Sequence, residues 1–449
     1  MLTATAPADP TSSVLRNGPD AAGCGGQNWL WRSVSSASLV VHRVLFGLLG
    51  AFSAARFLAN GWVESLYLAP ERHLTYPRAT WVRPLPTPWM YLVVAAMVPL
   101  GLAVAVGYRT RLAAAGYLGL FAYCELIDAA LYLNHYWYVT LAMALLVVLP
   151  TTGRTTVPAV VVWMLRFQLA IVYGMAGLGK LNADWLLRGE PMQTWLSART
   201  DLPVLGPLLD QPGVALGASW VGVLFDLSIV GLLLWRRTRL PAWLVLVAFH
   251  VVTWWLFPIG VFPWVMIAGS LIFFPPDWPQ RLLRRERTQA AVAPARVGSW
   301  PRRWLLVALV AWAVVQVVMP LRHVAYAGDV RWTEEGYYGS FRVMLTEKTG
   351  WLRYRLTDAA TGEQWVVDPA TVLEPWQVEQ AASRADLALA AAHIVRDVAV
   401  AGGHPDIEVR ADSWVSFNGR PSQRLLDPRV DLAALPRTAR AAEYVLPGP

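Results

Sequence analysis

Lys180 closes a long apolar stretch, in Gly177-Leu178-Gly179-Lys180-Leu181-Asn182-Ala183-Asp184-Trp185. The chain has thirty-six arginines and only two lysines. The difference is chemical, because arginine effectively never gives up its proton whereas a partly buried lysine can. Two readings fit the position: a base, or a cation snorkelling to lipid head groups. Asn134 and His135 form a second polar pair, in a short connection between two apolar stretches. Histidine titrates near neutral pH and is an ordinary acid–base group, although an interface histidine satisfied by its neighbours fits equally. Asp128, Arg166, Asp226 and His250 lie deeper, inside apolar stretches. Charges in a membrane are costly and face the bundle interior. Arg166 precedes Lys180 by fourteen residues, roughly 21 Å of helix, so its expected partner is Asp226 at mid-depth, in a pair that locks helices. Asp128, seven residues before His135, is expected about two helical turns below it on the same face, orienting the site from beneath. The seven histidines are scattered, with no His-x-x-x-His or paired-cysteine spacing, so no metal is expected. Cys24 and Cys124 are not expected to meet in a disulfide.

The elements that position these groups are membrane helices. Of 449 residues, 56% are hydrophobic and 15% charged, with mean hydropathy +0.40; soluble domains are about 25% charged. The 24 tryptophans suit bilayer interfaces. The net charge of +8 comes from arginines flanking apolar spans, which argues against nucleic acid as partner. Nine candidate spans are predicted: 37–59, 89–107, 111–132, 135–150, 158–180, 214–235, 240–256, 259–275 and 302–319. The loops after even-numbered spans carry Arg109 and Arg111, Arg154, Arg236, Arg237 and Arg239, then Arg281, Arg284, Arg285 and Arg287. The positive-inside rule makes those loops and the N-terminus cytoplasmic. Nine spans then put the C-terminus outside the cell membrane, on the side of Lys180 and Asn134-His135. Residues 1–35 read as a disordered cytoplasmic tail and 36–320 as the transmembrane domain. Residues 321–449 read as an extracytoplasmic α+β domain rich in antiparallel strands. Strands are expected at 341–345, 351–356, 365–367, 406–418 and 422–426, a helix at 375–400, and turns at Lys348-Thr349-Gly350 and Ala360-Thr361-Gly362. Lys348 is thus expected in a hairpin turn.

With these segments in order, the chain resembles the vitamin K-dependent γ-glutamyl carboxylase family, whose bacterial relatives share an HTTM-type membrane domain. The resemblance runs through Arg83-Pro84-Leu85-Pro86 with Trp89-Met90-Tyr91, Asn134-His135, Ile171-Val172-Tyr173, Gly179-Lys180-Leu181-Asn182-Ala183-Asp184-Trp185, Phe225-Asp226-Leu227-Ser228, Phe249-His250 and Asp277-Trp278-Pro279. It continues in Trp414-Val415-Ser416-Phe417-Asn418 and Asp427-Pro428-Arg429-Val430-Asp431. It implies that Lys180 deprotonates reduced vitamin K (phylloquinol or menaquinol). Reaction with O2 then yields a strong base, a peptide glutamate loses its γ-proton, and the carbanion takes up CO2. Vitamin K epoxide and γ-carboxyglutamate are the implied products. His135, with Asn134, is implied in the carbanion and CO2 half. Residues 336–342 correspond by resemblance to the glutamate-binding region. Tyr337, Arg342, Asp128 and Trp185 are the expected substrate-binding residues, with Arg342 a carboxylate clamp or, equally, a surface strand arginine. Arg166, Asp226 and His250 are expected to support the bundle. The expected partners are a glutamate-containing peptide and the lipid bilayer. The animal enzymes carry two consecutive lysines where this chain has Gly179-Lys180, and their disulfide has no counterpart. Two alternatives stay open: a quinol epoxidase that does not carboxylate, and a membrane scaffold or transporter with a sensory outer domain.

Overall fold

The computed structural model describes residues 28–150, 155–203, 205–283 and 302–449. Cys24, Arg154, Arg284, Arg285 and Arg287 lie outside the described residues, as do 1–27 of the expected tail. Its last part is ordered: Asn28–Trp31 is helical, and β1 (Ser33–Ser35) pairs antiparallel with β2 (Thr156–Pro158).

All nine apolar stretches are helical. They are α1 (Ala37–Ala59), α2 (Trp89–Val106), α3 (Thr110–Ile127), α4 (Asn134–Val148), α5 (Ala159–Gly179), α6 (Pro212–Leu234), α7 (Arg239–Leu256), α8 (Phe262–Ser270) and α9 (Arg302–Leu321). Among the described residues, six helices are long and apolar enough to cross a membrane. The six are α1, α2, α5, α6, α7 and Arg303–Ala325. The helices α4 and Phe262–Phe273 are shorter, and α3 is not in that set, so a count of nine full spans does not follow. Helices α1 and α2 cross so closely that a Cβ on Gly47 would lie 2.5 Å from the Ala105 nitrogen. Glycine is what permits that approach.

Helix α3 stops at Asp128, whose extended backbone breaks it; the chain then makes a short 3-10 turn before α4 begins at Asn134. Asp128 and His135 therefore do not share a helix face, as the sequence suggested.

The C-terminal region carries a four-stranded antiparallel sheet in the order β4-β3-β5-β6. The strands are β3 (Lys348–Asp358), β4 (Gln364–Val367), β5 (Ile407–Phe417) and β6 (Gln423–Arg424). Alternation puts Leu352, Tyr354, Leu356, Val409, Val415 and Phe417 on one buried face. That face packs with α10 (Pro375–Ser383) and α11 (Ala385–Ala401), two helices where one was expected. Residues 341–345 are not a strand, because Phe341 and Met344 take positive φ of 54° and 51°. The expected turn at Lys348-Thr349-Gly350 is instead the start of β3, paired with β5. A Cβ on Gly350 would lie 2.4 Å from the Trp414 carbonyl oxygen, so this glycine marks a close strand approach.

Candidate active site

Lys180 caps the C-terminus of α5 and is 6% exposed. Its Nζ donates to Asp226 Oδ2 at 2.8 Å and to the Val343 carbonyl at 3.4 Å, and lies 5.2 Å from the Trp185 ring. Close helix packing makes the pair possible: a Cβ on Gly177 would meet Leu227 Cδ2 at 2.7 Å and Asp226 Cβ at 3.1 Å. The expected Arg166–Asp226 pair is absent. Arg166 instead donates to the carbonyls of Ile272 at 2.9 Å, Phe273 at 3.4 Å and Phe274 at 3.0 Å. These carbonyls lie where α8 gives way to a short 3-10 turn, and carbonyls at helix ends lack intrahelical donors.

The segment Phe341–Leu345 reaches from the C-terminal domain into this end of the bundle. Its Leu345 carbonyl accepts from Trp185 Nε1 at 3.2 Å, and its Val343 carbonyl faces Lys180. Two non-glycine residues in left-handed conformation are costly and persist only where the surroundings hold them. The same segment explains Gly179, since a Cβ there would lie 2.6 Å from Leu345 Cδ1. Backbone carbonyls carry no residue-type signal, so sequence reading missed both.

Asn134 starts α4. Its Nδ2 donates to the Arg342 carbonyl at 3.3 Å and to Tyr337 Oη at 3.5 Å, and its Oδ1 accepts from Tyr132 Oη at 3.3 Å. His135 lies beside Phe262, ring centroids 5.6 Å apart, and Phe262 lies 5.8 Å from His250. His250 Nε2 is 2.8 Å from Tyr173 Oη, while its Nδ1 is buried without a partner. Lys180, Asp226, Trp185, Tyr173, His250 and Phe262 all line one cavity of about 950 Å³. Its other walls are almost wholly apolar, including Phe225 and Phe249. Lining residues Val221 and Leu224 on α6 and Val245 and Val252 on α7 are at least half exposed on the bundle's outer surface. The cavity therefore opens sideways between α6 and α7.

Of the four expected substrate-binding residues, Trp185 lines the cavity and Tyr337, Arg342 and Asp128 do not. Arg342 is 8% exposed and spends its guanidinium on the carbonyls of Val330 and Glu335, both at 3.2 Å. Burial lowers its pKa from the ordinary value, with Glu334 and Tyr337 opposing. Asp128 accepts from the Leu74 amide at 3.2 Å and Gln377 Nε2 at 2.7 Å, with His73 Nδ1 at 3.2 Å. It joins a loop of the bundle to α10. Lys348 is not in an exposed turn: its side chain is 3% exposed, and its Nζ is 2.8 Å from Glu334 Oε1. Both lysines of the chain are therefore buried and ion-paired.

Asp184, four residues after Lys180, has no role that its sequence context alone reveals. It accepts from Arg420 at 2.5 Å, from Asn418 Nδ2 at 3.0 Å and from Arg331 at 3.4 Å, tying the C-terminal domain to the bundle beside the site. Burial pushes its carboxyl upward, but the Arg420 and Asn418 hydrogen bonds and the Arg420 and Arg331 charges hold it below its ordinary value. Glu125 on α3 was also missed, although a carboxylate in an apolar stretch is legible; it borders a small cavity with Cys124 and Tyr136. No cluster of metal-ligating side chains occurs among the described residues.

Residues 31–278 match the HTTM domain, and residues 301–449 match the family described as vitamin K-dependent gamma-carboxylase, lumenal domain. No solved structure matches the chain. Apolar helices with a lumenal-domain match make this a membrane protein with a non-cytoplasmic C-terminal domain.

Proposed function

The chain belongs to the vitamin K-dependent gamma-carboxylase family, and from that premise we propose that it couples oxygenation of a reduced vitamin K-type quinol to carboxylation of glutamate in a peptide. The observation that carries this reading is Lys180, paired with Asp226 in the wall of a large apolar cavity. A naphthoquinol with an isoprenoid tail, phylloquinol or menaquinol, needs apolar walls and a few polar contacts for its hydroxyls. The cavity offers Tyr173, Phe225, Phe249 and Phe262 as walls and Lys180, Asp226 and His250 as polar groups. Its sideways opening suits a substrate that arrives dissolved in the bilayer.

The quinol, with O2, supplies the oxidation energy that makes a strong base. The chain's own residues hold the ring, exclude water and accept the first proton. Passing a proton from Lys180 Nζ to Asp226 Oδ2 along their 2.8 Å hydrogen bond frees an amine lone pair for a quinol hydroxyl. Trp185 fixes the lysine from one side. Asn134, the residue before His135, ties the start of α4 to Tyr337 and the Arg342 backbone in the segment that would present the glutamate. In this reading His135 serves the carbanion and CO2 half, and no metal takes part. The cytoplasmic N-terminus and extracytoplasmic sheet domain in the cell membrane belong to the same proposal.

A second reading, quinol epoxidation without carboxylation, is favoured by one observation. Arg342, the expected carboxylate clamp, is occupied by backbone carbonyls. Purified protein with reduced vitamin K, O2, bicarbonate and a glutamate peptide separates the two. Epoxide together with carboxylated peptide supports the first, and epoxide alone supports the second. Neither product with any quinol would remove both.

A further inference from the structure

The outer face of the sheet has no packing partner among the described residues. Residues opposite one another across strands share a face. The register sets Trp351 opposite Trp414, Arg353 opposite Asp412, Arg355 between Arg410 and Val366, and Arg424 beside Trp414. Trp351 is 48% and Val366 61% exposed. The Arg424 guanidinium lies 5.3 Å from the Trp414 ring centroid.

Two features do not suit a merely solvated surface. Arg355 and Arg410 stand directly opposite each other, and like charges so placed destabilise a sheet. The acids present do not neutralise the array: Glu408 is engaged by Arg410 at 2.7 Å and Asp412 by Arg424 at 3.7 Å. Arg353 and Arg355 have no ion-pair partner among the described residues. The face therefore carries uncompensated arginine charge next to the exposed Trp351 and the half-buried Trp414.

We propose that this face is a docking surface for an acidic, glutamate-rich peptide segment. Arg353 and Arg355 pair with its carboxylates, and Trp351 and Trp414 give it an apolar rest. The inference builds on the peptide-carboxylase reading and adds how the substrate is selected and held. Strand β5 runs from this face to the junction with the bundle beside Lys180. Asn418, just past β5, donates to Asp184, four residues from Lys180. Trp414 is about 13 Å of strand from that junction, so a peptide bound on the face delivers its neighbouring glutamates to the site. Lipid head groups are a poorer fit. On the opposite face of the sheet, Gln377 of α10 donates to Asp128 and to the Arg72 carbonyl of the bundle. The arginine face lies on the side of the sheet away from that contact.

The test uses the full chain in phosphatidylcholine nanodiscs. Fluorescence anisotropy follows binding of a labelled glutamate-rich peptide and its glutamine counterpart. We expect tight, salt-sensitive binding of the glutamate peptide only. The double substitution Arg353→Glu with Arg355→Glu should weaken it at least about tenfold, and Trp351→Ala should weaken it less. Quinol oxidation measured without peptide should not change in any of these variants. Binding is read without turnover, so a failed carboxylase reading and a failed docking surface give different results. Equal affinity for the glutamine peptide, or native affinity in the double variant, overturns the proposal. So does a variant that loses only binding to phosphatidylserine vesicles, which would make the face a membrane contact.

Discussion

At the scale of single residues, the Lys180–Asp226 pair dominates. Each charge is almost fully buried, and each is satisfied mainly by the other. Removing one partner of a buried pair leaves an uncompensated charge and costs roughly 3–5 kcal/mol, whereas replacing both by apolar groups is often neutral. Asp226→Asn should therefore lower the thermal transition of the detergent-solubilised protein markedly. Lys180→Met with Asp226→Leu should recover most of that stability while remaining inactive. A double variant as unstable as the single one would contradict this pairing. His135 is not among the residues that line the cavity and packs against its wall residue Phe262, so His135→Ala should reduce peptide carboxylation more than quinol epoxidation when both products are quantified together. Equal loss of both would move it to the quinol step. The sequence showed that Lys180 and Asn134-His135 lie at one end of the bundle, because apolar lengths and connecting loops set depth. It misassigned the partner of Asp226. Depth along a helix is legible, but the α5–α6 approach at Gly177 is set by packing that a single sequence does not display.

At the scale of elements, the segment Phe341–Leu345 decides the shape of the site. Alternating residues made it read as a strand, yet positive φ at Phe341 and Met344 turns it into a loop whose carbonyls meet Lys180 and Trp185. Such strain is invisible in residue types, since nothing marks a phenylalanine or methionine for a left-handed backbone. The loop also restricts its neighbours. Gly179→Lys, which sets two lysines side by side, should crowd Leu345 and lower both stability and epoxide formation. Adding Leu345→Ala should restore part of both, read as Tm and initial rate. No recovery would mean that the added charge, rather than the contact, is responsible. The long helices were legible because apolar stretches of such length have few alternatives. The break at Asp128 was not, because a carboxylate that ends a helix and one that lines a helix face look alike until its donors, Leu74 and Gln377, are placed.

At the scale of the whole molecule, the two halves are joined by polar contacts at Asp184 and Asp128 and by the inserted loop, and the Asp184 contact should make their docking depend on pH. The Asp184 carboxyl lies below its ordinary value of 3.8 in the folded protein, because hydrogen bonds and charge from Arg420, Asn418 and Arg331 outweigh the opposing burial. Its contribution is complete above that ordinary value and is lost as pH falls through the lower folded one. Limited proteolysis between the halves should accelerate in that acid window, and Asp184→Asn should be cleaved readily at all pH values, with the acid step removed. An unchanged acid step in the variant would place the titrating group elsewhere. The join was only partly legible: Asp184, Asn418 and Arg420 stand inside or beside recognisable segments, but their convergence needs the fold. What the assembled molecule is proposed to do rests on one proton transfer in the sideways-opening cavity. The most direct measurement is the rate of vitamin K epoxide formation from the quinol and O2 by folded Lys180→Arg and Lys180→Ala proteins beside the native chain. The account predicts that both variants fall alike, by about a hundredfold or more, because arginine keeps the charge but cannot act as the base. Substantial epoxide formation by the arginine variant would contradict it.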